Sequence, residues 1–376
     1  MKKSILVVVG TRPEAIKMAP VIKELSRHSC FDVRLCVTGQ HKEMLDQVLK
    51  IFDLRPEYDL NVMKKNQSLS DLTSLMISKL SNICEELKPD FLFVHGDTVT
   101  TLSSAIVGYF NKIKVCHVEA GLRTHNLYAP WPEEGNRKLT AAISGLHFAP
   151  TLKAKENLIS EGVLDKEIFV TGNTVIDALK IADNSISNNT KLQESLDRKY
   201  EINKKEKIVL VTCHRRENYG GGFEEICDSI LELANDYKNL RFIFPVHLNP
   251  AVSDIVHKKL SKISNINLLE PLPYIDFVFL MKHSWLILTD SGGIQEEAPT
   301  FGTPVFVMRE ATERPEAVEG GTAKIVGSKK DDIVKEVRGL YDDIQKYKKM
   351  SNAKNPFGAG DASQKIVTVI LNYISK

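Results

Sequence analysis

ILVVVGTRPE, Ile5–Glu14, runs from five apolar residues through a glycine to Arg, one further residue and Glu. The pattern returns as IVLVTCHRRE, residues 208–217. An apolar run without alternation suits a strand buried on both faces, as in a parallel sheet covered by helices. Pro13 fits the first turn of a helix, where its missing N–H costs nothing. Two strand–turn–helix openings in one chain suggest two similar halves.

The rest of the chain keeps the same rhythm. Apolar runs at Ile5–Val9, Val33–Val37, Phe91–Val94, Val115–Val118, His147–Ala149 and Ile168–Val170 form one series of expected strands. Ile208–Val211, Arg241–Pro245, Ile266–Leu269, Trp285–Leu288 and Val305–Val307 form a second. Amphipathic stretches such as Ala15–Arg27, Leu69–Leu87, Thr98–Phe110 and Phe223–Tyr237 read as helices between them. This predicts an α/β chain with two doubly wound, Rossmann-like domains facing a central cleft, with ligands at the C-terminal strand ends. The rhythm weakens in the polar stretch Lys180–Lys207, which marks the passage between the halves. A first domain is expected at 1–172 and a second at 173–360, with 361–376 a helix packing back on the first.

At 376 residues the chain exceeds one typical core. Lys and Arg number 50 against 48 Asp and Glu, a balance that offers no broad basic face for nucleic acid. The six cysteines form no C-x-x-C pair, which favours reduced thiols in a cytoplasm over a disulfide frame or a zinc site. Cys213 beside His214 raises a nucleophile pair, but adjacent strand residues point to opposite faces. The basic tip of MKKSILVVVG has no cleavage pattern behind it, and no apolar stretch approaches a membrane span. No G-x-G-x-x-G fingerprint and no Walker loop occur, and neither a cofactor nor a metal is expected.

Chemistry-bearing residues collect after the strands. Arg12 and Lys17 follow Gly10, where a tight turn meets a helix start that could hold phosphate. Asp97 follows His95-Gly96 and could equally cap the next helix. Glu119 stands between an apolar run and Gly121. Glu133, after Pro132, also reads as an ordinary acidic helix start, with Arg137 close behind. In the second half, His214 and Arg215 follow one strand and His247 another. Ser291, Gly292 and Gly293 open a helix that carries Glu296 and Glu297, and Arg309 and Arg314 come shortly after. Together these suggest a nucleoside diphosphate held by the second domain and carboxylate chemistry from the first.

GTRPEAIKMAP, GQHKEMLDQVL, HGDT, HVEAGLRT, PWPEEGNR, GNTVIDAL, TCHRREN, DSGGIQEEAP and REATERPEAVEGGT occur in this order, from about Gly10 to Gly327. This series closely resembles the non-hydrolysing UDP-N-acetylglucosamine 2-epimerases. The resemblance implies a fold like that of the GT-B glycosyltransferases and interconversion of UDP-N-acetylglucosamine with UDP-N-acetylmannosamine. It implies elimination of UDP to 2-acetamidoglucal followed by re-addition. It carries the catalytic role onto Asp97, Glu119, Glu133 and His214, the last beside the departing diphosphate. Arg12, Lys17 and Arg137 match substrate contacts, and Ser291, Gly292, Gly293, Glu297 and Arg314 match the UDP-binding set. On this reading Glu296 is a solvated or structural acid.

Some bacterial members bind a second UDP-N-acetylglucosamine as activator, which would place Gln40, His41, Arg215 and His247 near it. Other members have Gln where this chain has Glu43, and Arg where it has Asn66. The resemblance further implies a homodimer and a product that feeds surface polysaccharide. Three other readings stay open at this point: the hydrolysing relative, a glycosyltransferase on the same scaffold, and a non-enzymatic sugar-nucleotide sensor. A related epimerase acting on another UDP-2-acetamido sugar stays open as well. The intact GTRPEAIKMAP and TERPEAVEGGT segments lean against hydrolysis.

Overall fold

The computed structural model describes residues 2–39, 42–63, 67–203, 205–215, 218 and 221–375, with the side chains of 42–44 and 251 not described. Gln40, His41 and Asn66, and the side chain of Glu43, lie outside the described residues. The chain divides into two compact units, Met1–Ile181 with Phe357–Lys376, and Ala182–Pro356. The change of unit falls inside the helix Thr174–Ser187, rather than at 172/173.

The first unit holds strands β1 (Lys3–Val9), β2 (Phe31–Val37), β3 (Tyr58–Asp59), β4 (Phe91–His95), β5 (Lys114–Val118), β6 (Leu146–Ala149) and β7 (Ile168–Val170). They pair in parallel in the order β3-β2-β1-β4-β5-β6-β7. The second unit holds β8 (Lys207–Thr212), β9 (Leu240–Pro245), β10 (Ile266–Leu269), β11 (Ser284–Thr289), β12 (Val305–Val307) and β13 (Ala323–Ile325). Their order is β10-β9-β8-β11-β12-β13, again parallel. Both are doubly wound sheets, and the repeated stretches supply β1 and β8, the two strands at which each order reverses.

The local causes are plain. Ile5 to Val9 are buried because helices cover both faces of the sheet. Thr11 caps the helix Arg12–Ser26, accepting from Glu14 N–H, while the Glu14 carboxylate accepts from Thr11 N–H, a reciprocal capping box with Pro in the first turn. Gly10 is required for space and not for a left-handed turn, since a Cβ there would lie 2.1 Å from Thr100 Oγ1. The helix Ala362–Ile374 packs on Arg12–Ser26, and its first N–H groups, from Ala362 and Ser363, donate to buried Asp177 at 3.2 and 2.8 Å. No described helix is long and apolar enough to cross a membrane.

Candidate functional site

In the first unit the site residues gather where the strand order reverses. β4 and β5 run in register, His95 beside Val118, so the next residues of each loop meet. Gly96 N–H donates to Val118 O at 2.9 Å with φ of +69°, a turn that favours glycine. Thr98, not Asp97, caps the helix Val99–Phe110, accepting from Thr101 N–H at 3.2 Å. Asp97 is thereby left to pair with Arg137, whose Nη2 and Nε lie 2.7 and 2.9 Å from its Oδ2. Asn136 Nδ2 donates to the Asp97 carbonyl at 2.8 Å.

Glu119 is a non-glycine residue held at φ of +62°, a costly backbone conformation that surrounding contacts must fix. Lys17 Nζ forms an ion pair with its carboxylate, and Asn173 Nδ2 donates to the same oxygen at 3.0 Å. His95 Nε2 lies 3.8 Å from that oxygen on a buried ring with no hydrogen-bond partner for Nε2 among the described residues. Burial pushes His95 down to about 4, so the ring is neutral near pH 7. Arg137 also reaches Glu134, 3.1 Å from Nη1. Glu134 is fully buried and accepts from Thr124 and His125 N–H, both at 3.1 Å. Glu133, the first residue of the helix Glu133–Ile143, has a buried Oε2 without a hydrogen-bond partner among the described residues.

Beneath these groups sits Glu14. Its buried carboxylate accepts from Gly10 N–H at 2.8 Å, Thr11 N–H at 2.7 Å, Thr98 Oγ1 at 2.6 Å and Thr101 Oγ1 at 3.2 Å. Burial raises its pKa against the pull of those donors. Glu14 thus ties the loop after β1 to the loop after β4. Arg12 is half-buried on the same helix as Lys17.

The second unit builds its cluster at the corresponding point. Asp290 follows β11 and is fully buried. It accepts from His214 and Arg215 N–H at 2.9 and 2.8 Å. Its Oδ1 lies 3.4 Å from His214 Nδ1. Burial lowers the His214 pKa, Asp290 raises it, and Arg215 and His247 lower it further. His247 stacks against His214 with ring centroids 6.1 Å apart, and the Arg215 Nε is buried without a partner among the described residues. Cys213 Sγ lies 3.1 Å from Asp290, and burial pushes its thiol well up, so a Cys213–His214 nucleophile pair does not form.

Ser291 precedes the helix Gly292–Glu297. A Cβ on Gly293 would lie 3.5 Å from Glu297 Oε1, and one on Gly292 would lie 3.7 Å from Arg314 Cζ. The two glycines therefore keep one face of this turn low between a carboxylate and a guanidinium. Glu296 is the structural acid of the pair: it is buried and its Oε1 forms an ion pair with Arg314 Nε. Thr312 Oγ1 donates to Gln295 at 2.6 Å and accepts from Arg314 N–H at 3.1 Å, which fixes the strap carrying Arg314.

Sequence reasoning singled out Asp97, Glu119, Glu133, Arg12, Lys17 and Arg137, and in the first unit the structure pairs Lys17 with Glu119 and Arg137 with Asp97. In the second it brings His214, Arg215 and His247 together, and Ser291, Gly292, Gly293, Glu297 and Arg314 together. Sequence reasoning missed Glu14, Asn173 and Asp290 as parts of the site. Asp290 carried a usable signal, a lone acid directly after an apolar strand. Among the described residues no group of His, Cys, Asp and Glu is arranged to hold a metal ion.

The family model described as UDP-N-acetylglucosamine 2-epimerase matches residues 23–371. A Campylobacter jejuni UDP-N-acetylglucosamine 2-epimerase is 49% identical over 375 residues, 99% of this chain and 98% of that protein. The crystal structure of the Neisseria meningitidis UDP-GlcNAc 2-epimerase bound to UDP-GlcNAc is similar at a TM-score of 0.92 and 49% identity, covering 98% of this chain and all of that one. The Methanocaldococcus jannaschii UDP-GlcNAc 2-epimerase in complex with UDP-GlcNAc and UDP is similar at 0.82 and 34% identity, covering 98% and 99%. With its two parallel sheets, its GT-B-like α/β fold and matches of this length, the chain belongs to the UDP-N-acetylglucosamine 2-epimerase family.

Proposed function

We propose that the protein interconverts UDP-N-acetylglucosamine and UDP-N-acetylmannosamine by elimination and re-addition of UDP. C2 of the sugar is not beside a carbonyl, so removing its proton alone would leave an unstabilised carbanion. Elimination avoids this. A carboxylate takes the C2 proton, the C1–O bond breaks with its electron pair going to UDP, and a C1–C2 double bond forms in 2-acetamidoglucal. UDP oxygen then bonds to C1 while a proton is delivered to the opposite face of C2.

The observation that carries this reading is the pair of carboxylates at adjacent strand ends, Asp97 and Glu119, each held against its own cation, Arg137 and Lys17. Two placed acid–base groups suit two proton transfers at one carbon. Glu133 supplies a third carboxyl group. Arg12, Lys17 and Arg137 contact the substrate. His214 stabilises the departing diphosphate; Ser291, Gly292, Gly293 and Arg314 bind it, and Glu297 accepts from the ribose hydroxyls. Incubation with UDP-N-acetylglucosamine alone tests the reading: NMR of the products should show UDP-N-acetylmannosamine, and free N-acetylmannosamine with UDP as the end products would reject it.

Arg215 and His247, with Gln40 and His41, bind a second UDP-N-acetylglucosamine as activator. The buried Nε of Arg215, without a hydrogen-bond partner among the described residues, supports this part. Pure UDP-N-acetylmannosamine should then turn over at full rate only after UDP-N-acetylglucosamine is added. The protein acts in the cytoplasm as a homodimer, and its product feeds surface polysaccharide.

A further inference from the structure

We infer that Asp290 is the positioning residue of His214, setting which imidazole nitrogen carries the proton and supplying the charge that lets the ring become imidazolium. This inference rests on the reading of His214 as the group that meets the departing diphosphate.

The two oxygens of Asp290 have separate tasks. Oδ2 accepts from the N–H groups of His214 and Arg215 at 2.9 and 2.8 Å, from Asn218 Nδ2 at 3.1 Å, and from Cys213 Sγ at 3.1 Å. That oxygen ties together Cys213, His214, Arg215 and Asn218, which follow β8. Oδ1 is buried, has no hydrogen-bond partner among the described residues, and lies 3.4 Å from His214 Nδ1. A carboxylate oxygen taken out of water favours whatever donor can reach it. Nδ1–H fits that requirement, which leaves Nε2 as the bare nitrogen of the neutral ring.

The His214 side chain is 43% exposed, so its far edge is open to a ligand. An approaching diphosphate favours a second proton on the ring. Both nitrogens then donate, Nε2–H to a phosphate oxygen and Nδ1–H to Oδ1. Among the described residues the charged and titratable groups facing the ring are Asp290, Arg215 and His247. Arg215 and His247 oppose the imidazolium. Asp290 is the group that favours it.

Asp290→Asn separates positioning from bracing. The amide keeps an oxygen for the loop N–H groups and turns an NH2 toward Nδ1. The neutral ring is then driven to the opposite tautomer, and the imidazolium loses its counter-charge. The test follows the His214 ring nitrogens by NMR across pH in 15N-labelled full-length protein, with and without UDP, using His214→Asn to assign the signals. Wild type should show the Nδ1–H tautomer and a second proton gained on UDP binding. Asp290→Asn should show Nε2–H, a titration midpoint lower by about one pH unit or more, and turnover lower on the order of 10² to 10⁴-fold with the matching limb of its pH profile displaced.

An unchanged tautomer and midpoint in Asp290→Asn, with only a lower melting temperature, would reduce Asp290 to a loop brace and overturn the inference. If that variant does not fold, the wild-type spectrum decides: a predominant Nε2–H tautomer overturns the inference as well. Full turnover in His214→Asn would reject the diphosphate reading while leaving the Asp290–His214 coupling to be judged by the spectra.

Discussion

Lys17 and Glu119 form an ion pair at the point where the first sheet reverses its order, with side chains 13% and 9% exposed. The pair joins the helix after β1 to the loop after β5, and it holds a glutamate at a positive φ. Removing one partner leaves a largely buried charge alone, which costs about 3–5 kcal/mol, whereas removing both costs less. Lys17→Met should therefore destabilise the protein in denaturant melts, and Lys17→Met with Glu119→Gln should recover part of the loss. Additive losses would show that the pair does not couple.

Glu119→Gln should lower kcat by on the order of 10² to 10⁴-fold, the range for a removed acid–base group. UDP binding, measured by calorimetry, should stay within a few-fold of wild type. A parallel loss of UDP affinity would make Glu119 a binding residue.

Arg137 serves two acids, and a lysine cannot reproduce its fork. Arg137→Lys keeps the charge yet leaves Asp97 or the fully buried Glu134 short of donors. A fall in stability of about 2–3 kcal/mol is expected from the underbonded buried carboxylate. Turnover should fall as well, because Asp97 loses its fixed rotamer. Equal melts for wild type and variant would contradict this account of the Asp97–Arg137–Glu134 group.

Glu14 accepts from four donors, and Gln can offer one oxygen in their place. Glu14→Gln should cost about 2 kcal/mol through unsatisfied donors in the two loops. Its effect on turnover should exceed its effect on UDP binding, since the contacts it makes set the start of the helix that carries Lys17 and the loop that carries Asp97.

Acid should weaken the fold through buried imidazoles. His95, His117 and His147 are pushed down to about 4, 3 and 4 by burial, from 6.5. Between pH 6.5 and about 4 the unfolded chain binds protons that the folded chain refuses, so stability is lost as pH falls, by about 1.4 kcal/mol per pH unit for each ring. Glu14 and Asp177, whose pKa values are raised by burial, act with the opposite sign just above their ordinary range. His147→Phe should lose less stability than wild type between pH 7 and pH 5, read from denaturant midpoints at each pH.

Much of the fold was legible because each β-strand buried on both faces leaves a continuous apolar run. Ile5–Val9, Phe91–Val94 and Val305–Val307, buried throughout, fall within β1, β4 and β12. Tyr58–Asp59 and Ala323–Ile325 escaped, being an edge pair of two residues and a short edge strand carrying Lys324. The site was legible as strand-end residues but not as partnerships. Lys17 meets Glu119, and His214 meets Asp290, through strand order and register, which no local pattern encodes. Thr98 rather than Asp97 takes the helix cap because both residue types can cap, and the competing partner of Asp97 lies 40 residues away.

The most direct measurement is turnover of UDP-N-acetylglucosamine in D2O, followed by NMR at C2 of the UDP-N-acetylmannosamine formed. Elimination and re-addition predict deuterium at C2, with slow release of 2-acetamidoglucal and UDP. Product that retains all of its original C2 hydrogen would contradict the mechanism.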